Sequence, residues 1–275
     1  MSDPRAALEA IGVLPDSELD LAEAALQLAR IDCPDADWLA THAHLSELAR
    51  ESVVLAGEID LHDLSAQAGA LAGLLAGRHG YAGDTASYDD QANANLIRVV
   101  ERRRGLPVAL GILWLHCARA AGWQAHGIDF PGHFLIGLTA GGAQIVLDAF
   151  AGGDPMDARD LRTLLKRVEG PKAELQPGLL RPMSNRAVLL RLQHNISQRR
   201  IASGDVPGAL SCTEDMLRIA PEAASIWRDA ALLNQRLDQV GAALRCLGRC
   251  LELVPEGEAA NHVRSAMAEL RTRLN

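Results

Sequence analysis

The 275-residue sequence predicts an α+β fold built from three consecutive segments. Residues 17–80 repeat apolar side chains at three- and four-residue steps, as one face of a helix does. Seven of the nine aromatic residues (four Trp, two Tyr and three Phe) lie within 81–150, which indicates a separate core there. Helical spacing returns after residue 181. We therefore expect a helical segment over 1–80, a core of one helix and an antiparallel sheet over 81–170, and an all-α tail over 181–275.

The first segment contains signals for three helices. Ser17 or Asp20 can cap the first, and Pro34 stops it. A second run with similar spacing covers residues 38–50. A third, roughly 61–78, is rich in Leu and Ala, which favour helix.

The central segment changes from helical to strand-like patterning. Residues 108–121 predict an apolar helix. Two short β-like runs follow, 127–138 and 144–147. Pro131-Gly132 interrupts the first, and Gly141-Gly142 between the two indicates a hairpin.

The tail carries an internal repeat of thirty-four residues. Five positions recur at this spacing: Val206, Ala209, Leu210, Leu217 and Pro221 correspond to Val240, Ala243, Leu244, Leu251 and Pro255. A helix-turn-helix period of this length, ending in Pro, is typical of tetratricopeptide repeats. About two full units fit, with a leading helix near 184–201 and a closing helix near 257–274. The 151–180 stretch, rich in Gly and Pro, is expected to contain the connector.

Composition excludes several classes of protein. The net charge of −8 and the pI near 5.6 argue against general nucleic-acid binding, which needs a basic surface. No apolar stretch reaches the roughly 18 residues of a membrane span. The opening MSDPRAALEA does not read as a secretory signal. The five scattered cysteines do not suggest a disulfide framework, so we expect a cytoplasmic protein. Oligomeric state is not readable.

One pair of residues has the spacing of catalytic chemistry. His133, within Pro131-Gly132-His133-Phe134, is followed fifteen residues later by Asp148. On adjacent strands the two side chains can meet, and the carboxylate would fix the imidazole tautomer so that the other nitrogen acts as a base. Spacing alone allows two interpretations, a structural pair or two thirds of a Cys-His-Asp acyl-transfer site.

Longer motifs resemble a known family. The runs YDDQANANLIRVVERRRGLPVALGILW, GIDFPGHFLIG and IVLDAF resemble the transglutaminase-like, papain-like core of the bacterial Sir-B-type regulators, in which this core precedes tetratricopeptide repeats. The resemblance covers roughly residues 17–270. It implies family positions for Asn93, Glu101, Arg103, Gly105, Pro107, His133 and Asp148.

The sequence departs from an active enzyme of this kind at the nucleophile. Active relatives place a Cys at the start of the helix before the His strand, where the helix dipole favours a thiolate. Ala109 best matches that position, with Leu110 next, and neither can attack a substrate. Cys117 lies eight residues further on, about 12 Å along a helix axis. We expect it to be a buried apolar residue.

These features favour a non-catalytic protein that binds a protein or peptide through its repeats, with a regulatory role. A cysteine-type hydrolase or acyl transferase using Cys117, and a water-activating hydrolase using His133 and Asp148, remain alternatives. Asn93 and Arg103 are expected to hold the turn before the helix by bonds to backbone carbonyls, and Arg103 could instead bind a ligand. No cofactor is predicted.

Metal ligation is not predicted either. Cys246 and Cys250 share a helix face but lack two further ligands. His116, His126 and His133 lack the His-x-x-x-His spacing.

Overall fold

The computed structural model describes residues 3–272, and its contacts divide the chain into two compact units. Residues 15–192 form one unit. Residues up to Leu14, together with those from Gln193 onward, form the other. The three predicted segments were based on the spacing and composition of the sequence, whereas these units reflect contacts in the folded chain. The helices between residues 15 and 80 therefore belong to the same unit as the central core.

The described residues contain twelve α-helices and six strands, which confirms the predicted α+β class. The helices are α1 Pro4–Val13, α2 Leu21–Asp32, α3 Trp38–Ala56, α4 Leu64–Ala72, α5 Leu96–Arg102, α6 Pro107–Ala120, α7 Ala158–Glu169, α8 Asn185–Ala202, α9 Val206–Ile219, α10 Ala224–Arg236, α11 Val240–Leu253 and α12 Glu258–Thr272. The strands are β1 Ala82–Gly83, β2 Arg104–Gly105, β3 Gln124–Phe130, β4 His133–Ala140, β5 Ala143–Asp148 and β6 Asp154–Met156.

Aspartate caps decide where the early helices begin. Asp20 accepts hydrogen bonds from the backbone N–H groups of Ala22 and Glu23, both at 3.0 Å, and so starts α2. The predicted third helix begins later than expected because Asp63 caps it. It continues beyond α4 as a turn of π-helix over Gly73–Arg78.

Helix α6 is the buried centre of the 15–192 unit. Every residue from Pro107 to Leu115 is buried, as expected for a helix that is apolar on all sides. It packs against α2 and α3 and against β3 and β4. Gly111 allows β4 to approach α6 closely, because a Cβ at this position would overlap the Phe134 ring.

The sheet has the order β3-β4-β5-β6 and is antiparallel throughout. Its first hairpin turns at Pro131-Gly132, where Phe130 pairs with His133. The second turns at the predicted Gly141-Gly142, and both glycines have positive φ, as a tight hairpin requires. Strand β5 then pairs with β6, which places Asp148 opposite Asp154.

The 151–180 stretch contains more structure than the connector predicted for it. It includes β6 and α7, and α7 begins with a capping box in which Asp157 and Asp160 each accept from the other's backbone N–H. The Gly and Pro content obscured Leu161 and Leu165, spaced four apart. These two leucines join a core with residues of the sheet: Ile128, Phe130, Leu135 and Val146.

The second unit confirms the repeat. Helices α9 and α11 begin and end thirty-four residues apart, matching the predicted period. Sequence reasoning missed α1, although Asp3-Pro4 has the form of a helix start. Helix α1 packs on α9, where Arg5 Nε donates to Asp215 Oδ1 at 3.1 Å.

Gly153 supplies a test of how tightly α6 is enclosed. Its φ is +88°, and a Cβ would overlap the Trp114 ring of α6. Gly152 has a similar φ of +97°, but the nearest atom to its Cβ would be Ala76 Cβ at 4.0 Å. We predict that Gly153→Ala lowers the free energy of unfolding by about 1–3 kcal/mol more than Gly152→Ala, measured by urea denaturation. Equal losses would show that the Trp114 contact is not a constraint.

Candidate functional site

The structure brings His133 and Asp148 together. His133 opens β4 and Asp148 ends β5. Because Ile136 pairs with Leu147, Asp148 lies diagonally across from His133 rather than directly opposite. His133 donates its Nε2–H to Asp148 Oδ1 at 2.9 Å, since a carboxylate only accepts. Each side chain is 13% exposed, so the pair is largely sheltered from water.

Asp148 also shapes the turn that follows it. Its Oδ1 accepts the backbone N–H of Phe150 at 2.9 Å, which starts a short 3-10 turn over Ala149–Ala151. Its own carbonyl accepts the N–H of Gly153 at 2.7 Å. The carboxylate therefore holds the local backbone as well as the imidazole.

One aromatic ring lies against the imidazole, and a second lies behind it. The Phe150 ring meets the His133 ring edge-on, with centroids 6.0 Å apart, and Tyr88 meets Phe150 similarly at 5.9 Å. Gly83 lies against Phe150, where a Cβ would come within 2.5 Å of the ring. The aromatic enrichment of 81–150 predicted a core but did not reveal this arrangement.

Arg191 is a site residue that sequence reasoning missed. Its Nη2 donates to the backbone carbonyl of His133 at 2.7 Å, and the guanidinium forms an ion pair with Asp129. Fifty-eight residues separate Arg191 from His133, so no local pattern could have linked them.

The predicted nucleophile position lies in the first turn of α6. Ala109 is the third residue of that helix and is 1% exposed. Among the described residues, His133 forms no hydrogen bond with a Cys, Ser or Thr side chain. Cys117 is fully buried, and burial raises the pKa of its thiol to about 12.

Asn93 fastens the loop that leads into α6. Its Nδ2 donates to the Ser87 carbonyl at 2.6 Å, as predicted for a backbone bond, and its own carbonyl accepts the Leu106 N–H at 2.8 Å. Its Oδ1 accepts from Arg102, which also pairs with Asp84 at 2.9 Å. Hydrogen bonds from the backbone and hydroxyl of Ser87 are the main reason that the pKa of Asp84 falls to about 2. A binding role for Asn93 remains a prediction.

The expected bonds from Arg103 to backbone carbonyls are absent from the described structure. Its guanidinium instead meets the His44 and Tyr81 side chains. The neighbouring Arg104 makes the carbonyl contacts, to Gly80 at 2.9 Å and to Arg103 at 2.8 Å. The two consecutive arginines have different partners. Arg103 has a left-handed backbone, with φ of 55°, and this conformation separates the directions of the two side chains. Ligand binding by Arg103 remains a prediction.

Comparison with known families matches this organisation. Residues 39–194 fit the model of the transglutaminase-like superfamily, and residues 196–268 fit a tetratricopeptide repeat model. The chain belongs to the transglutaminase-like superfamily. The first match covers α3 to α8 and includes His133, Asp148 and Ala109; the second covers the repeated helices.

Bacterial relatives match this chain over 58% to 94% of its length. A UPF0162 protein of Xylella fastidiosa is 29% identical over 266 residues, 94% of this chain and 93% of the relative. Protein SirB1 of Salmonella typhimurium is 24% identical over 243 residues, 88% of each chain. A UPF0162 protein of Pseudomonas aeruginosa is 34% identical over 161 residues, 58% of each. These matches confirm the predicted Sir-B-type resemblance and are consistent with a binding or regulatory role.

Residues 3–272 are the part of the chain that the structure describes. They contain no helix that is both long and apolar enough to cross a membrane. They also contain no group of three His, Cys, Asp or Glu side chains placed to hold a metal ion.

Thiol labelling tests the cysteine alternative. We predict that iodoacetamide modifies folded Cys117 roughly a thousandfold more slowly than an ordinary thiol at neutral pH, because the raised pKa leaves little thiolate. The partly exposed Cys33 serves as the internal reference, and peptide mass spectrometry follows both sites. Rapid labelling of Cys117 in folded protein would restore it as a candidate nucleophile.

Proposed function

We propose that this protein acts by binding a protein or peptide partner through its tetratricopeptide segment, in a regulatory role, and that the His133–Asp148 pair carries out no covalent acyl transfer. The proposal depends on one observation above all. Asp148 holds the His133 imidazole, while Ala109, the residue that the sequence best matches to the nucleophile position, lies in the first turn of α6. An alanine methyl group cannot form an acyl intermediate.

The repeats provide the surface for a partner. Two cavities of about 400 Å³ and 240 Å³ lie within the 193–275 part of the chain. Three consecutive helices line each cavity, α10, α11 and α12 for the larger and α8, α9 and α10 for the smaller, as expected when stacked helix pairs form one extended binding face. Leu232 of α10 lines both cavities and is 52% exposed.

The chemistry of these cavities supports a partner with apolar anchors and mixed charges. Leu247, Val263 and Ala266 form an apolar wall in the larger cavity. Charged residues of both signs accompany these walls: Arg228 and Glu258 in the larger cavity, and Asp229 and Arg236 in the smaller. An exposed apolar residue between two cavities is a natural hot spot, because a partner side chain can fill the space beside it.

A water-activating hydrolase is supported by a separate observation. Asp148 fixes Nε2 of His133, and the described residues supply no hydrogen bond to the other ring nitrogen, Nδ1. That nitrogen could remove a proton from water without a protein nucleophile. This second candidate function needs no nucleophilic side chain at position 109, so it requires a test of its own.

The binding surface is tested at Leu232. We predict that Leu232→Asp weakens a peptide selected against the full chain from a phage-displayed library by at least about tenfold, measured by fluorescence anisotropy. Val254→Asp is the matched control, since Val254 is 40% exposed and lines neither cavity. Equal affinities for wild type and Leu232→Asp would place the partner elsewhere.

The catalytic alternative is tested by turnover. We expect the wild-type chain to hydrolyse no member of a broad amide and ester panel above the spontaneous rate, and His133→Ala to behave identically. Circular dichroism confirms folding of each variant. Turnover by the wild type that is lost in Asp148→Asn would establish water activation and contradict the non-catalytic proposal.

A further inference from the structure

A second group of titratable side chains lies outside the His133 site, between α3 and the chain that follows α4. At its centre, His44 of α3 is 11% exposed. Its Nδ1 lies 3.0 Å from Glu47 Oε2. Its Nε2 lies 2.7 Å from Arg103 Nη1 and 3.0 Å from the Tyr81 hydroxyl, which also accepts from Arg103. Apart from Arg103, the residues of this cluster lie outside the family motifs, and none of them belongs to the proposed binding surface.

The partners of His44 fix its protonation state. A guanidinium can only donate, so Nε2 must accept from Arg103. The single ring proton is therefore on Nδ1, where it is donated to Glu47. A second proton on Nε2 would put two positively charged donors face to face at hydrogen-bonding distance. The bond between His44 and Arg103 exists only while the ring is neutral.

The surroundings reinforce this dependence. The His79 ring lies 5.2 Å from the His44 ring and its Nε2 bonds Glu51 at 2.9 Å. The titratable and charged groups around His44 are Glu47 and Glu51 of α3, Arg78, His79, Tyr81, Arg103, and His116 and Cys117 of α6. Two carboxylates balance two arginines in this set, so each added imidazole proton is an uncompensated positive charge.

Burial is the largest cause that lowers the pKa of His44, and the charges of Arg103 and His79 lower it further, against the hydrogen bond to Glu47. The unfolded chain therefore binds this proton more readily than the folded one. The stabilising effect of neutral His44 is complete above the usual histidine pKa of about 6.5 and is lost as the pH falls below it.

Arg103 connects this cluster to the His133 site. It ends α5 in the left-handed conformation, and its carbonyl accepts the Ala82 N–H at 3.1 Å. The next two residues form β2, which pairs with β1. Gly83 of β1 lies against Phe150, whose ring meets His133. Loss of the Arg103 contact would be transmitted along this short path.

We propose that His44 is a proton-operated latch: its neutral ring holds Arg103 in place, and its protonation releases Arg103 and loosens residues 81–106, which support the His133–Asp148 pair and the start of α6.

Hydrogen exchange of the full chain tests the latch. After correction for intrinsic rates, protection of the amides of Ala82, Asp84 and Leu106 should fall severalfold between pH 7.5 and 5.5 in the wild type, up to the roughly tenfold limit set by one proton with an unfolded pKa of about 6.5. His44→Gln keeps a donor and an acceptor but cannot titrate, so its protection should stay constant over this range. His42→Gln is the matched control on the same helix, because His42 is 53% exposed, and it should behave like the wild type.

Several results would overturn the proposal. A wild type whose protection does not change with pH would do so, as would a His44→Gln variant that loses protection like the wild type. Loss of the pH response in His79→Gln but not in His44→Gln would assign the switch to His79 instead. If His44→Gln does not fold, the wild-type NMR titration decides, since the loss of protection must begin near a pH of about 6.5 and level off at the His44 midpoint.

Discussion

The complete burial of the first part of α6, from Pro107 to Leu115, is the constraint on which the rest of the 15–192 unit depends. An apolar helix without a solvent face needs neighbours on every side, and each neighbour must come close. Gly111 admits the Phe134 ring from β4, and Gly153 admits Trp114 into the turn after Asp148. The strand that begins with His133 and the turn that follows Asp148 are thus both packed on one helix. The geometry of the pair is a consequence of core packing as much as of its own hydrogen bond.

Local patterns predicted much of this fold because local forces produce it. Asp20 starts α2 through its own carboxylate, and Gly141-Gly142 turns a hairpin through backbone freedom that only glycine offers cheaply. The thirty-four-residue period gave the ends of α9 and α11 because each repeat has the same internal packing. The prediction failed for α7, where glycines and prolines on both sides outweighed two leucines with helical spacing.

Long-range contacts account for what the sequence could not show. The bond from Arg191 to the His133 carbonyl and the bond from Arg103 to His44 each join residues more than fifty positions apart. Spacing predicted that His133 and Asp148 would meet, but not that they would do so diagonally or that Phe150 would lie against the imidazole. Arg103 was assigned the bonds that Arg104 makes, because the pattern gave no sign that Arg103 itself adopts the left-handed conformation.

The contacts of Asp148 give the His133–Asp148 pair a structural role that does not depend on catalysis. Asp148 accepts from the backbone of Phe150 while it binds His133, and it ends the strand that leads into the Gly152-Gly153 turn. Replacing this carboxylate would leave a sheltered N–H and an imidazole N–H unsatisfied, and each such loss costs about 1–3 kcal/mol. The Ala109 side chain, in contrast, is held in α6 by apolar packing alone. The two halves of the apparent site are therefore held by different forces, so a thiol can be absent from one while the other persists for structural reasons.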